Sequence, residues 1–296
     1  MNVSECFDKY QLKYANDFPT SQLSSIKTGG IAKHIVYPEN IGELILAINV
    51  CLDCSVRYKL IGGCTNTFFS DEGFVGVIIS VRNVKTIDVE GTQVVAEAGA
   101  PLVSVLKQAA ERGVCLASEL FGIPGSIGGA IRNNAGAFGA AISDIFEYGS
   151  FYDTSESRIL ELGANDISFS YRSSILQMRN VIFLKGVFKG KRCGADKTFD
   201  VFKDVIMRRR SSQPSESSLG SFFKRSGDVI PAILIEKAGL KGLCVGGASV
   251  SLKHSGFIIN KGNATSSDVD ALANHIEKTI FEKYNAVLVR EAEYVK

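Results

Sequence analysis

The sequence predicts an α+β protein, and three observations carry that prediction. Amphipathic helical patterns and short β-rich runs alternate through the first third. A glycine-rich block over 122–139 interrupts the middle and is followed by further strand-like runs. The last third mixes helix and strand again, with no internal repeat and no low-complexity stretch.

Each element has a local cause. NIGELILAINVC reads as a helix capped by Asn40, with Leu44, Ala47, Ile48 and Cys51 on one face. VRYKLIGG reads as a strand ending at a double glycine. VGVIIS (75–80), KTIDVE (85–90) and QVVAEAG (93–99) are β-rich runs separated by turn residues. Pro101 opens a helix whose apolar face is Leu102, Val105, Leu106 and Ala109, and Gly113 ends it. EYGSFYD, RILEL and VIFLKGVF read as strands. KRCGADKTFD (191–200) is polar and turn-rich, a natural boundary. Beyond it VFKDVIMRRR predicts a helix with Phe202, Val205 and Ile206 inward. The SSQPSESS loop leads to a helix over 230–238 ended by Gly239, then to strands near 243–250 and 256–260. A last helix starts at a Ser266/Ser267 cap and buries Val269, Leu272, Ile276 and Ile280, with His275 beside the stripe as an ordinary surface or satisfied histidine.

Bulk composition narrows the function. The 296 residues are 45% hydrophobic and 22% charged, enough for a sizeable core. The net charge of +2 gives no general attraction to nucleic acid or membranes, so any anion site must be local. The first residues lack the basic-then-apolar pattern of an export signal, and no run of about 18 apolar residues could span a bilayer. A cytoplasmic protein follows, and its seven scattered cysteines are expected as reduced thiols. The pair in CLDC (51–54) has no second CxxC, so it reads as a packed helix end, and no metal site is expected.

The glycines pose a nucleotide question. Nowhere do two stand with a single residue between them, so the G-x-G-x-x-G fingerprint is absent, and so is the P-loop. Two other loops are suited to phosphate or a ring. LIGGCTNT (60–67) follows a strand, and its glycines and small polar residues supply amides and donors. FGIPGSIGGAIRNNAGAFG (121–139) holds six glycines in 19 positions and leaves a broad backbone surface on which a flat ring system can lie. Two such loops separated by strands point to a dinucleotide cofactor.

SLGSFFKR (218–225) poses another question, whether Ser221 is a turn residue or a reacting group. The three histidines, His34, His254 and His275, all lie far from it in sequence, so serine–histidine triad chemistry is not expected.

Five ordered blocks, LIGGCTNTFFSDEGFVGVII, GIPGSIGGAIRNNAGAFG, YRSS (171–174), GSFFKR (220–225) and GGASVSLKHSGFIINKGNAT (246–265), resemble the UDP-N-acetylenolpyruvoylglucosamine reductase family. The resemblance runs from about residue 20 to the C-terminus, and the compact segment after YRSS resembles the shorter, type II form. It implies an FAD-binding part of two α+β subdomains (1–65 and 66–195), of the vanillyl-alcohol-oxidase or PCMH type, followed by an α+β substrate-binding domain (200–296). It also implies a monomer with a small-molecule substrate, the enolpyruvyl ether of UDP-N-acetylglucosamine. FAD would relay a hydride from NADPH to the terminal methylene carbon of that ether.

The family's site residues map onto this chain one by one. The phosphate loop falls on Gly62, Gly63, Cys64, Thr65, Asn66 and Thr67. The flavin-contacting loop falls on Gly122, Ile123, Pro124, Gly125, Ser126, Gly129, Asn134, Ala135 and Gly136. The resemblance makes Ser221 the proton donor, Arg172 the partner of the substrate carboxylate, and Glu291 the C-terminal glutamate that orients or polarises it. Tyr171 and Gln213 would line the cleft, and Lys224 and Arg225 would meet anionic groups. A serine hydroxyl suits that task, because a weak acid can still protonate a strongly basic carbanion.

The match departs from the family pattern in places. The phosphate loop reads GGCTN where the family tends to have GGGSN, and Ser226 stands where a proline is usual. The C-terminal motif reads Glu291-Ala292-Glu293, so Glu293 remains an alternative to Glu291, and the roles of Arg208, Arg209 and Arg210 stay open. Two other functions compete: an FAD-dependent oxidase of the same fold, and a non-catalytic nucleotide-binding module.

Overall fold

Buried apolar side chains form two clusters, and each belongs to one of two compact units of the chain. The computed structural model describes residues 2–296. The first unit takes the chain up to Ala15, His34–Gly63 and Gly76–Arg208, and the second takes Asn16–Lys33, Cys64–Val75 and Arg209–Lys296.

In the first unit, helix α1 (Val3–Lys9) is closed by a capping box between Asn2 and Glu5. Helix α2 (Ile41–Asp53) starts at Asn40, whose side chain accepts the Glu43 N–H, and it buries Leu44, Ala47, Ile48 and Cys51 as the periodicity predicts. The chain then enters the strand Tyr58–Ile61, which runs parallel to Val77–Ser80 and stops at Gly62. The largest sheet has five antiparallel strands, in the order Arg158–Gly163, Phe146–Asp153, Val181–Lys189, Gln93–Glu97 and Ile87–Glu90. Phe146, Phe151, Phe183 and Phe188 meet edge-to-face on it. Helix α3 (Leu102–Glu111) buries the predicted face, and the short α4 (Ile127–Arg132) follows the N-cap Ser126.

Two expectations are corrected in this unit. Helix α5 (Ala195–Ser212) begins inside the segment expected to be turn-rich. Its polar first turn is sustained because Thr198 is buried and its hydroxyl donates to the Gly194 carbonyl at 3.2 Å. Nor are all seven cysteines reduced thiols, since Cys115 and Cys193 form a disulfide. Antiparallel pairing of Val114–Cys115 with Lys191–Arg192 brings their Cα atoms to 5.7 Å, inside the range a disulfide requires. The CLDC helix end is as expected: Cys51 is buried and Cys54 is the C-cap, its sulfur 3.5 Å from that of Cys6. Burial pushes the Cys51 thiol up to about 12, so it stays protonated and unreactive.

In the second unit, a four-stranded antiparallel sheet has the order Ser218–Ser221, Phe257–Asn260, Ala248–Val250, Cys244–Val245. Helix α6 (Pro231–Lys237) and helix α7 (Ser266–Tyr284) complete the second core. Val269, Leu272, Ile276 and Ile280 on α7 are fully buried, each contributing roughly 1.5–3 kcal/mol. His275 is exposed, as expected. The cap of α7 differs by a residue: Thr265 is the N-cap, in a reciprocal box with Asp268. Ser266 and Ser267 instead donate their N–H groups to Asp71, each at 2.8 Å. Burial raises the Asp71 carboxyl, but the donors from Ser266 and Ser267 outweigh it and hold it below the usual carboxylate range.

Candidate active site

The first unit brings its two glycine-rich stretches into contact. A Cβ built on Gly62 would stand 2.1 Å from the Ser126 hydroxyl, so only glycine allows this approach. Ser126 is itself buried and accepts the Gly129 N–H at 3.3 Å. Gly122 and Gly125 both have positive φ, 80° and 121°, which gives the GIPG segment turns that side-chain-bearing residues rarely adopt. Outside its own helix, a Cβ at Gly129 would meet only Ser126 Oγ, at 3.5 Å. Bare backbone with open space above it fits a flat cofactor ring, and the Gly62–Ser126 contact brings the end of the Tyr58–Ile61 strand beside it.

Arg172 stands in the same unit. Tyr171 and Arg172 are the central residues of a turn closed by reciprocal backbone bonds between Ser170 and Ser173, at 3.0 and 3.1 Å. Arg172 takes φ +53°, a left-handed conformation uncommon for a long side chain. Three contacts compensate. Its Nη2 donates to the Gly136 carbonyl at 2.9 Å, and the Arg172 carbonyl accepts from Gln177 Nε2 at 3.2 Å. Asn134, buried and at φ +40°, donates to the Ser170 carbonyl at 3.0 Å. The guanidinium also lies 5.3 Å from the Tyr171 ring centroid, and that ring is exposed. Asn134, Gly136 and Gln177 are therefore what hold Arg172 and its turn. Ala135 lies between the first two, while Ile123 and Pro124 fall within the GIPG turn.

The other site residues singled out in the sequence lie in the second unit. The loop continues as Cys64, Thr65, Asn66 and Thr67, and Cys64 is buried at φ +48°. Ser221 is exposed at the end of its strand, paired with Phe257 across an irregular register after Gly220. It is thus a strand-end residue and not a turn cap. Phe222 turns inward, is fully buried, and donates its N–H to the Gly256 carbonyl at 2.8 Å. Its carbonyl accepts the Glu291 N–H, also at 2.8 Å. Phe223 and Lys224 then pair with Arg290 and Val289. Ser221 and Glu291 are thus joined through one residue of backbone. Arg225 is exposed, and Gln213 follows α5 with its N–H on the Arg209 carbonyl at 2.8 Å. Lys253 donates to the carbonyl of Arg210.

The two candidate glutamates differ in setting. The N–H of Glu293 goes to the Asn66 carbonyl at 2.9 Å and its Oε2 accepts the Thr67 hydroxyl at 3.3 Å. His254 is half-buried, and its Nδ1 accepts the Gly256 N–H at 3.1 Å. Burial pushes its pKa down, so the ring is neutral near pH 7. No group of three or more His, Cys, Asp or Glu able to hold a metal occurs among the described residues.

Sequence reasoning missed one cluster. Arg290, next to Glu291, donates Nε to Glu277 Oε1 at 2.6 Å, Nη2 to Asn274 at 2.7 Å and to the second Glu277 oxygen at 3.1 Å, and Nη1 to Asp270 at 2.5 Å. The hydrogen bonds that Glu277 accepts, with Asp270 behind it, hold the guanidinium above its ordinary range. Positions 270, 274 and 277 share one face of α7, so the i, i+4, i+7 spacing of acceptors was the available signal.

Bare glycine backbone suited to a flat ring points to the class, an FAD-binding oxidoreductase. A family model described as "FAD binding domain" matches 32–162, and one described as "UDP-N-acetylenolpyruvoylglucosamine reductase, C-terminal domain" matches 213–295. The protein of that name from Caldicellulosiruptor saccharolyticus is 36% identical over 100% of this chain and 96% of its own length. The one from Caldanaerobacter subterraneus is 38% identical over 95% of this chain and 93% of its own. The crystal structure of the Thermus caldophilus reductase superposes with a TM-score of 0.81 at 26% identity, covering 96% of this chain and 99% of that one. The chain belongs to the UDP-N-acetylenolpyruvoylglucosamine reductase family.

Proposed function

We propose that Ser221, Arg172 and Glu291 carry the substrate half of this family's reaction: NADPH-dependent reduction of UDP-N-acetylglucosamine enolpyruvate to UDP-N-acetylmuramate. The chain is an NADPH-dependent FAD reductase of peptidoglycan precursor synthesis. The single observation that carries the residue assignment is the junction at Phe222, which ties an exposed serine and a glutamate to one buried anchor.

FAD, when bound, supplies the two-electron relay from NADPH to the enolpyruvyl methylene carbon. Gly62, Gly63, Cys64, Thr65, Asn66 and Thr67 form the loop that holds its pyrophosphate. Gly122–Gly136 form the backbone surface for its ring. In the substrate, hydride adds to the terminal carbon and a proton to the neighbouring carbon, so the double bond is consumed and NADPH becomes NADP⁺. Ser221 Oγ gives that proton and regains one from solvent. Its high pKa keeps it neutral until the basic carbon forms, which suits a donor to a carbanion. Arg172 stabilises the carboxylate as it gains enolate charge. Glu291 orients that carboxylate. One feature favours it over Glu293: its N–H engages Phe222, the residue after Ser221. Tyr171 and Gln213 line the substrate site, and Lys224 and Arg225 meet its anionic groups.

The same reading divides the chain into FAD subdomains over 1–65 and 66–195 and a substrate-binding domain over 200–296, acting as a cytoplasmic monomer. No helix among the described residues is long and apolar enough to cross a membrane. The test is a visible spectrum of the purified protein under anaerobic conditions. A yellow protein should bleach with NADPH and recover its colour with the enolpyruvyl substrate. Recovery with oxygen alone would make it an oxidase, and a colourless protein that takes up no FAD would overturn the reading.

A further inference from the structure

Asn66 lies in the loop assigned to the pyrophosphate, yet its side chain engages the far end of the sequence. Its Nδ2 donates to the Glu291 carbonyl at 2.8 Å, and its own carbonyl accepts the Glu293 N–H at 2.9 Å. These two bonds bracket the buried Ala292. Beyond them the pairing becomes regular: Thr67, Phe68 and Phe69 run parallel to Glu293, Tyr294 and Val295, and Phe68 stacks on Tyr294 with centroids 4.5 Å apart.

Residue 291 is where the C-terminal segment changes partners. Before it, Val289 and Arg290 pair with Lys224 and Phe223; after it, residues 293–295 pair with 67–69. At the change, the N–H of Glu291 is held by Phe222, and its carbonyl is held by the Asn66 side chain. A carbonyl acceptor needs a donor, and among residues of this size an amide side chain supplies one where leucine or aspartate cannot.

We propose that Asn66 is a positioning residue for the substrate half-reaction: it fixes the backbone of Glu291 and so links the cofactor loop to that carboxylate. This rests on the assignment of Glu291 above. A side chain serving the cofactor alone would affect FAD retention. One serving Glu291 shifts the rate of the substrate step relative to flavin reduction.

The experiment uses the FAD-loaded enzyme and measures both half-reactions by stopped flow, together with FAD content and thermal unfolding. The variants are Asn66→Leu, which keeps volume and removes the donor, Asn66→Ala, Glu291→Gln and the double variant N66L/E291Q. Asn66→Leu should slow reoxidation by the enolpyruvyl substrate about 10-fold relative to reduction by NADPH. It should add nothing further in the Glu291→Gln background, because both changes act through one carboxylate. Asn66→Ala gives the same pattern should leucine disturb folding. Loss of FAD with equal slowing of both halves, or full additivity with Glu291→Gln, would overturn the proposal. A Glu291→Gln enzyme at the wild-type rate would instead remove the assignment of Glu291, and the proposal with it.

Discussion

The turn that presents Arg172 and the junction that presents Ser221 and Glu291 are built by opposite means. Arg172 sits at φ +53° and is held by side chains, with Asn134 and Gln177 bonding the turn and its own guanidinium bonding Gly136. Ser221 and Glu291 are held by main-chain pairing to Phe257 and Phe222 around a buried phenylalanine. A position defined by side chains is sensitive to each of them. One defined by backbone pairing depends on fewer side chains, here on Asn66 at the Glu291 carbonyl.

The largest effect along this contrast is expected at Arg172. Arg172→Met should slow the substrate half-reaction by about 10²–10³-fold, the loss typical of one donor to a developing anion. Reduction by NADPH should keep its rate, and rapid-mixing measurements of the two halves would separate them. Equal slowing of both would mean that the residue supports the flavin loop alone.

Arg290 tests the backbone-built side. Arg290→Met strips Asp270 and Glu277 of their shared cation and should destabilise the second unit by roughly 1–3 kcal/mol, discounted because the cluster is about a quarter exposed. Urea unfolding measures it, and an unchanged midpoint would mean that the strand does not depend on this clamp. Cys64 is expected to matter less. At φ +48°, glycine recovers roughly 1 kcal/mol of strain while giving up buried contacts, so Cys64→Gly should stay within about 1 kcal/mol of wild type. Cys64→Val, β-branched at the same φ, should cost roughly 1–2 kcal/mol more.

The smallest effect is a pH dependence. The Asp71 carboxyl is held below its unfolded value of about 3.9, so its contribution is fully present above about pH 4 and is lost as pH falls through the folded pKa. Asp71→Asn should therefore weaken the acid dependence of unfolding below about pH 4 and leave its slope near neutrality unchanged. Asp268, held low by the Thr265 and Gly247 amides, would retain part of that dependence. A steeper acid limb in the variant would contradict the sign.

What could be read from sequence was local. The apolar spacing gave the buried faces of α2, α3 and α7, because a 3.6-residue period is set by neighbours on one helix. The ordered motifs drew attention to Ser221, Arg172 and Glu291. Thr265 as the cap of α7 was also within reach, since T-x-x-D is a capping box, but two following serines drew the choice one residue on. The missed features are contacts across long stretches of chain. Cys115 and Cys193 are 78 residues apart and meet only because two short strands pair. Asn66 and Glu291 are 225 apart, and nothing in GGCTN shows which way its asparagine points. Likewise, Arg290 resembles any cation in a charged tail until α7 lies beside it.

The central claim is that Ser221, without a histidine, donates the proton of the substrate step. Single-turnover kinetics of Ser221→Ala tests it most directly, with flavin reduction by NADPH and reoxidation by the enolpyruvyl substrate followed separately under anaerobic conditions. With Ser221 as the donor, reduction should keep the wild-type rate while reoxidation slows by about 10²-fold or more. Reoxidation at the wild-type rate would contradict it and return Ser221 to the role of an ordinary strand-end residue.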